Sequence, residues 1–201
     1  MILPIKDNDF VRVFRLDKTH IRGRHVRLEK SVNHILNRHR YPKLVSLLLG
    51  DLLSLGVILS STVKYDGIFT VQTNSSGPLR FMIADIASTG EIRGYANFAQ
   101  KEIEEYQECI NDVGIVPQIM GSGHLTFTVN QAKTDNMYQG IVPLEGRTIS
   151  ECAHNYFKQS EQISTAIKIA TEQVATSWKS SALMLQREPI SDRYESREEL
   201  L

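Results

Sequence analysis

Between residues 44 and 59 eleven of sixteen positions are apolar, and they are spread so evenly that a helix built from them has no polar side. Such a helix must be enclosed, so it is expected inside the protein with other layers on at least two sides. Pro42 suits the first helical position, and Ser46, Gly50 and Ser54, four apart, form a stripe along which a neighbouring backbone can come close. Upstream, partial alternation predicts strands over 10–16 and 23–28, and Val32, Ile35 and Leu36 mark the apolar face of a short helix over 31–38.

Downstream the pattern turns to alternation. Residues 67–73 and 78–86 read as strands joined through Asn74-Ser75-Ser76-Gly77, with Gly77 expected where φ is positive, and 91–98 adds a third strand to make a meander. A short polar helix is expected over 99–109. Residues 125–130 and 137–144 read as partner strands turned by Lys133-Thr134-Asp135-Asn136, and 148–158 as a helix opened by a capping box of Thr148 and Glu151. Residues 164–185 fit strand and helix equally well. Residues 187–201 are charged, with a helix-like Glu/Arg pattern and no apolar face, and read as the start of a linker.

With 41% hydrophobic and 23% charged residues the 201-residue chain can bury a core, which excludes disordered and collagen-like classes. The charge balance is zero overall but uneven: residues 1–50 hold 11 Lys/Arg against 4 Asp/Glu, and the remainder holds the opposite excess. The basic stretch 12–43 is a candidate for binding phosphates, and a nucleic-acid module built on it is the alternative functional reading. It lacks interleaved aromatics, so a solvated face or an intramolecular complement is favoured. The apolar run 44–59 falls short of the ~20 residues needed to cross a bilayer, and the N-terminus has no secretory pattern, so a cytoplasmic protein without membrane contact is expected.

The search for chemistry returns no catalytic, cofactor or metal residues. Cys109 and Cys152 match neither a disulfide framework nor a zinc spacing. Cys152 and His154 diverge on a helix, so a buried thiol beside a surface imidazole is expected rather than a nucleophile with its base. His20, His25, His34 and His39 are five apart or more, not at the four-residue spacing of a helical metal pair. Gly121-Ser122-Gly123 reads as a turn, and Glu102, Glu104, Glu105 and Glu108 as a solvated face. No enzyme is expected.

Several blocks together carry a resemblance. They are Leu59-Ser60-Ser61-Thr62-Val63-Lys64-Tyr65-Asp66-Gly67, Val71-Gln72-Thr73, Gly77-Pro78-Leu79-Arg80, Arg93-Gly94-Tyr95-Ala96, then Tyr138-Gln139-Gly140-Ile141-Val142-Pro143-Leu144-Glu145-Gly146, Tyr156-Phe157-Lys158-Gln159-Ser160-Glu161-Gln162 and Leu183-Met184-Leu185-Gln186. In this order they resemble the redox-regulated heat-shock chaperone family, the HslO-type thirty-three-kilodalton chaperonins, over about residues 10–187. The resemblance implies an α+β fold: a layered β/α/β domain with a buried central apolar helix and antiparallel meander sheets. It also implies an ATP-independent holdase that binds unfolding client proteins under oxidative or heat stress, active as a homodimer. The family's redox switch is a C-terminal domain whose Cys-x-Cys and Cys-x-x-Cys thiolates hold zinc. On this reading 1–186 is the client-binding domain, 187–201 begins the linker, and the zinc-bearing domain is absent, so no cofactor is expected in this chain.

Overall fold

The computed structural model describes residues 8–106, 114–131, 137–158 and 163–188. In chain order these form β1 (Phe10–Leu16), β2 (Ile21–Leu28), α1 (Lys30–Arg38), α2 (Lys43–Ser60), β3 (Gly67–Ser75), β4 (Leu79–Ala87), β5 (Ile92–Phe98), α3 (Gln100–Glu105), α4 (Ile115–Met120), β6 (Gly123–Gln131), β7 (Met137–Pro143), α5 (Ile149–Tyr156), β8 (Thr165–Val174) and β9 (Ser177–Arg187). Two antiparallel sheets result. One has the order β1-β2-β9-β8, the other β5-β4-β3-β6-β7.

The central helix α2 lies between the two sheets, as its all-round apolarity requires. Leu44, Leu49, Leu52, Leu53, Leu55, Val57 and Ile58 are fully buried. The small stripe faces the four-stranded sheet: a Cβ on Gly50 would stand 2.5 Å from the Thr171 methyl, and the Ser54 and Ser180 hydroxyls meet at 2.6 Å. On the opposite side Gly56 looks at Ile86, Val71 and Ala84 of the five-stranded sheet. By length and hydropathy α2 could cross a membrane, but 83% of it is buried inside the protein, which makes it a core helix. The α+β layered fold expected from the sequence is therefore observed.

Helix α1 bridges the layers through Val32, Ile35 and Leu36. The Asn33 amide pairs with the backbone of Trp178 in both directions, donating to its carbonyl at 2.9 Å and accepting from its N–H at 2.6 Å. The helix is capped from a distance: the buried Asp9 carboxylate accepts from the amides of Glu29, Lys30 and Ser31, the last two at 3.0 and 2.8 Å. Loss of a capping carboxylate costs about 0.5–2 kcal/mol, and burial places this one at the upper end. Asp9→Ala is expected to lower stability by about 2 kcal/mol in urea titration and to speed amide exchange at the start of α1, whereas Asp9→Asn keeps part of both.

Several expectations are corrected. Residues 164–185, left open, are the hairpin β8–β9. Pro42 is not the first helical residue: its ψ of 152° makes it the cap, and the helix starts at Lys43. Gly77 is needed for space, not for positive φ, since a Cβ there would lie 2.5 Å from the Ile119 carbonyl oxygen. The predicted helix over 99–109 is described only as the short α3, and Cys109 and Glu108 lie outside the described residues, as do the turn at 133–136 and residues 189–201. Helix α4 was not predicted. The capping box forms by half: Thr148 accepts from the Glu151 N–H at 3.2 Å, but the Glu151 carboxylate turns to the Arg147 amide at 2.7 Å.

Candidate functional site

The two sheets differ in what they show to solvent. The register of β1, β2, β9 and β8 places Phe10, Arg27, Ser181 and Ala170 in one outward row, Arg12, His25, Leu183 and Lys168 in the next, then Phe14, Gly23, Leu185 and Ala166, and finally Leu16, Ile21 and Arg187. The inward rows, such as Val11, Val26, Ala182 and Ile169, lie against α2. Helices α1 and α2 lie on the inward side, and α5 meets this sheet at β8, where the Ser150 hydroxyl donates to the Ile167 carbonyl.

Apolar area is therefore left on the outward face, with Phe14, Leu16 and Leu183 exposed to 37%, 47% and 39%. Phe14 is seated by an absent side chain: its ring lies over Gly23, where a Cβ would stand 2.1 Å from the nearest ring carbon. Phe10 packs edge-on to His25 with ring centres 5.2 Å apart, and the Arg12 guanidinium lies 4.6 Å from the centre of the Phe10 ring. The charges in these rows are all basic. Burial first, then Arg12 and Arg27, push the His25 pKa below its ordinary value and hold the imidazole neutral at physiological pH. The surface is thus apolar with a cationic fringe. The outward rows of the five-stranded sheet are mixed: Thr70, Gln72, Asn74, Thr126, Thr128 and Asn130 run through its middle strands, with Phe81, Ile83, Tyr95 and Ile141 beside them, Tyr95 and Ile141 exposed to 44% and 58%.

One end of the four-stranded sheet is polar. Glu188 receives Arg15 at 3.0 Å and Arg22 at 2.7 Å, and its N–H donates to the His20 carbonyl at 2.8 Å. Arg24 is buried and donates to Gln186 at 3.3 Å, while its Nε has no partner among the described residues; burial and the neighbouring Arg22 lower its pKa. Arg27 pairs with Glu29, which Lys179 also approaches at 3.5 Å. Much of the basic 12–43 stretch is thus spent on intramolecular partners, as the uneven charge suggested. Beside this end a groove of about 870 Å³ runs between the β1–β2 turn and α5, lined by Lys18, His20, His154, Phe157 and Ile163 among others.

The residues weighed for chemistry do not converge. Cys152 is fully buried on α5, and burial, reinforced by Glu151, pushes its thiol up to about 11, which leaves it protonated and unreactive at neutral pH; His154 is exposed on the same helix. His20 sits in a turn, His25 on the sheet face, and His34 and His39 on and after α1. Gly121-Ser122-Gly123 is the turn from α4 into β6, with Gly121 at φ +62°. Glu102, Glu104 and Glu105 are exposed on α3. Among the described residues no three His, Cys, Asp or Glu come together to hold a metal. The apolar patch and the buried Asp51 carboxylate, which touches Thr171, were not singled out from the sequence.

Comparison with known proteins gives one consistent result. A family model described as Hsp33 protein matches residues 9–200. The 33 kDa chaperonin of Caulobacter vibrioides is 33% identical over 183 residues, covering 89% of this chain and 60% of that protein. That of a Pseudomonas putida strain is 36% identical over 195 residues, covering 97% and 61%. The chain thus spans about three fifths of the length of these curated relatives. The crystal structure of the 33 kDa chaperonin from Thermotoga maritima superposes with a TM-score of 0.74 at 20% identity, covering 97% of this chain and 68% of that one, a likeness of fold.

Proposed function

Since the chain belongs to the Hsp33 protein family, we propose that it is a holding chaperone whose client-binding surface is the outward face of the four-stranded sheet. The observation that carries this reading is the patch of Phe14, Leu16 and Leu183 left open on the side of the sheet turned away from α2. Unfolding proteins expose apolar segments, and burying these against the patch at about 25 cal/mol per Å² supplies adhesion with no nucleotide and no covalent step. The basic fringe adds attraction for segments that carry carboxylates and repels none of the apolar ones.

Activity under oxidative or heat stress, work in the cytoplasm and assembly as a homodimer belong to the same proposal and rest on the family alone. The redox gate is not assigned to these residues: Cys152 is too deeply buried and too weakly acidic to sense an oxidant quickly, and no described cluster holds zinc.

Suppression of light scattering by a thermally aggregating client tests the surface. Leu183→Asp is expected to weaken capture about tenfold, the equivalent of one partly buried leucine. Ile141→Asp, at an exposed site on the other sheet, is expected to leave it unchanged. Equal losses in both variants would place the site elsewhere, and no suppression by the parent chain would end the chaperone reading.

A further inference from the structure

Two antiparallel sheets have four edges, and three of them carry a blunting contact among the described residues. At β5 the Ala96 amide donates to the Tyr41 hydroxyl at 3.2 Å. At β8 the Ile167 carbonyl accepts from Ser150 at 2.7 Å, with α5 alongside. Strand β7 contains Gly140, which lies under the Tyr156 ring of α5, and ends on Pro143, which has no N–H to offer. Strand β1 differs. Among the described residues it pairs on one side only, with β2, and its sequence Phe-Val-Arg-Val-Phe-Arg-Leu has neither glycine nor proline. Val13, Phe14 and Leu16 are exposed on its two faces, Val13 at 50%.

An open, apolar strand edge is a template for another strand, and proteins ordinarily blunt such edges. Among the described residues β1 has no such contact, which sets it apart from the other three. We propose that β1 captures clients by strand addition: an extended segment of an unfolded chain, apolar and carrying carboxylates, hydrogen-bonds along its free edge and lays alternate side chains on the patch beside it. This deepens the reading of the patch as a client surface and rests on it. Backbone hydrogen bonds give affinity without regard to sequence, which suits a binder of many clients, and the neighbouring side chains add the preference for apolar segments. Charge selects the occupant. The outward rows beside its edge hold Arg12, Lys168 and Arg187 and no carboxylate, so an acidic segment is attracted, whereas a second copy of β1 brings another Arg12 and no carboxylate to meet them.

The test uses the chain with a fluorescent ten-residue peptide in which valine and phenylalanine alternate with glutamate, followed by anisotropy, together with two versions N-methylated on alternate amides in the two possible registers. Strand addition uses every second N–H, so one methylated peptide is expected to bind at least tenfold more weakly and the other to keep most of its affinity. Amide exchange across 10–16 is expected to slow when the parent peptide binds. Three results overturn the proposal. If both methylated peptides bind like the parent while Leu183→Asp still weakens capture, clients lie on the face and not on the edge, and the chaperone reading survives alone. If no peptide binds and no client is held, both readings fall. If 10–16 is already protected in a concentration-dependent dimer that peptide does not open, a second copy occupies the edge.

Discussion

Leu53→Ala is expected to lower the unfolding free energy by about 2–5 kcal/mol and the melting temperature by about 4–20 °C. The residue is fully buried on the side of α2 that faces β5, where it fills the space above Gly94 beside Ile35. The size of the effect follows from the layering. A helix on a surface can settle toward its core when a side chain is shortened, but α2 has a hydrogen-bonded sheet on either side, and neither can move in without breaking its own ladder. The cavity stays open and the loss approaches the upper end. Leu53→Met, which keeps the volume, is expected to cost less than about 1.5 kcal/mol. Against a total stability of about 5–15 kcal/mol this is a large share, and the alanine variant melts early, as circular dichroism would record. A change below about 1 kcal/mol would mean that this side of α2 is not enclosed.

That enclosure was legible because it is written in a period: no helical face of residues 44–59 is polar, and only burial accommodates this. The meander strands were legible for a similar reason, since their alternation is clean and their turns are marked. What failed to show was whatever depends on a distant partner. In β8, Ile167, Ile169 and Thr171 point inward while Ala166, Lys168 and Ala170 point out, and so many good helix formers leave the local signal undecided. The choice of strand is made by β9, which in turn is paired to β2, some 150 residues earlier. The Asp9 cap crosses twenty residues to reach α1, so no local box announces it. Helix α4 repeats its apolar contacts at Val116, Ile119 and Met120, but six residues are too few to stand out.

The candidate surface was half legible. Strand β1 is apolar at Val11 and Val13 and also at Phe10, Phe14 and Leu16, so both faces ask for a partner. Nothing in the alternation says which face meets α2 and which is left open, because a core row and a solvent row have the same spacing. Gly23 carries that information only after folding, when the Phe14 ring is found resting on it.

Asp51→Asn is expected to stabilise the protein near neutral pH and to remove a pH dependence that the parent chain shows between about pH 4 and 6. Although part of residue 51 reaches the surface, its carboxyl group is enclosed between α2 and β8, and burial raises its pKa from 3.8 to about 6, against the opposing bond from Thr171. The hydrogen bonds around it explain why the protonated form suits the fold. Thr171 contacts Asp51 at 2.7 Å and Ser180 at 2.8 Å, Ser180 donates to the Gly50 carbonyl at 2.9 Å, and Ser54 meets Ser180 at 2.6 Å. With Asp51 ionised, the Thr171 hydrogen is spent on the carboxylate and that of Ser180 on Gly50, which leaves the contact between the two hydroxyls without a proton. With Asp51 protonated, it donates to Thr171, Thr171 to Ser180 and Ser180 to Gly50, and the chain is complete. A carboxyl group whose folded pKa lies above its unfolded one contributes stability that is fully present below the unfolded value and is lost as pH rises through the folded value. The gap between 3.8 and about 6 corresponds to about 3 kcal/mol. Asparagine keeps an acceptor for Thr171 and holds no charge, so the variant is expected to be about 1–3 kcal/mol more stable than the parent at pH 7.5 and not more stable at pH 4. Urea titration of both proteins at the two pH values reads this as a difference, in which His25 and the surface carboxylates cancel. A difference that does not change with pH would show that Asp51 is ionised in the fold at no cost, with water or an opposing charge reaching it from the β8 side.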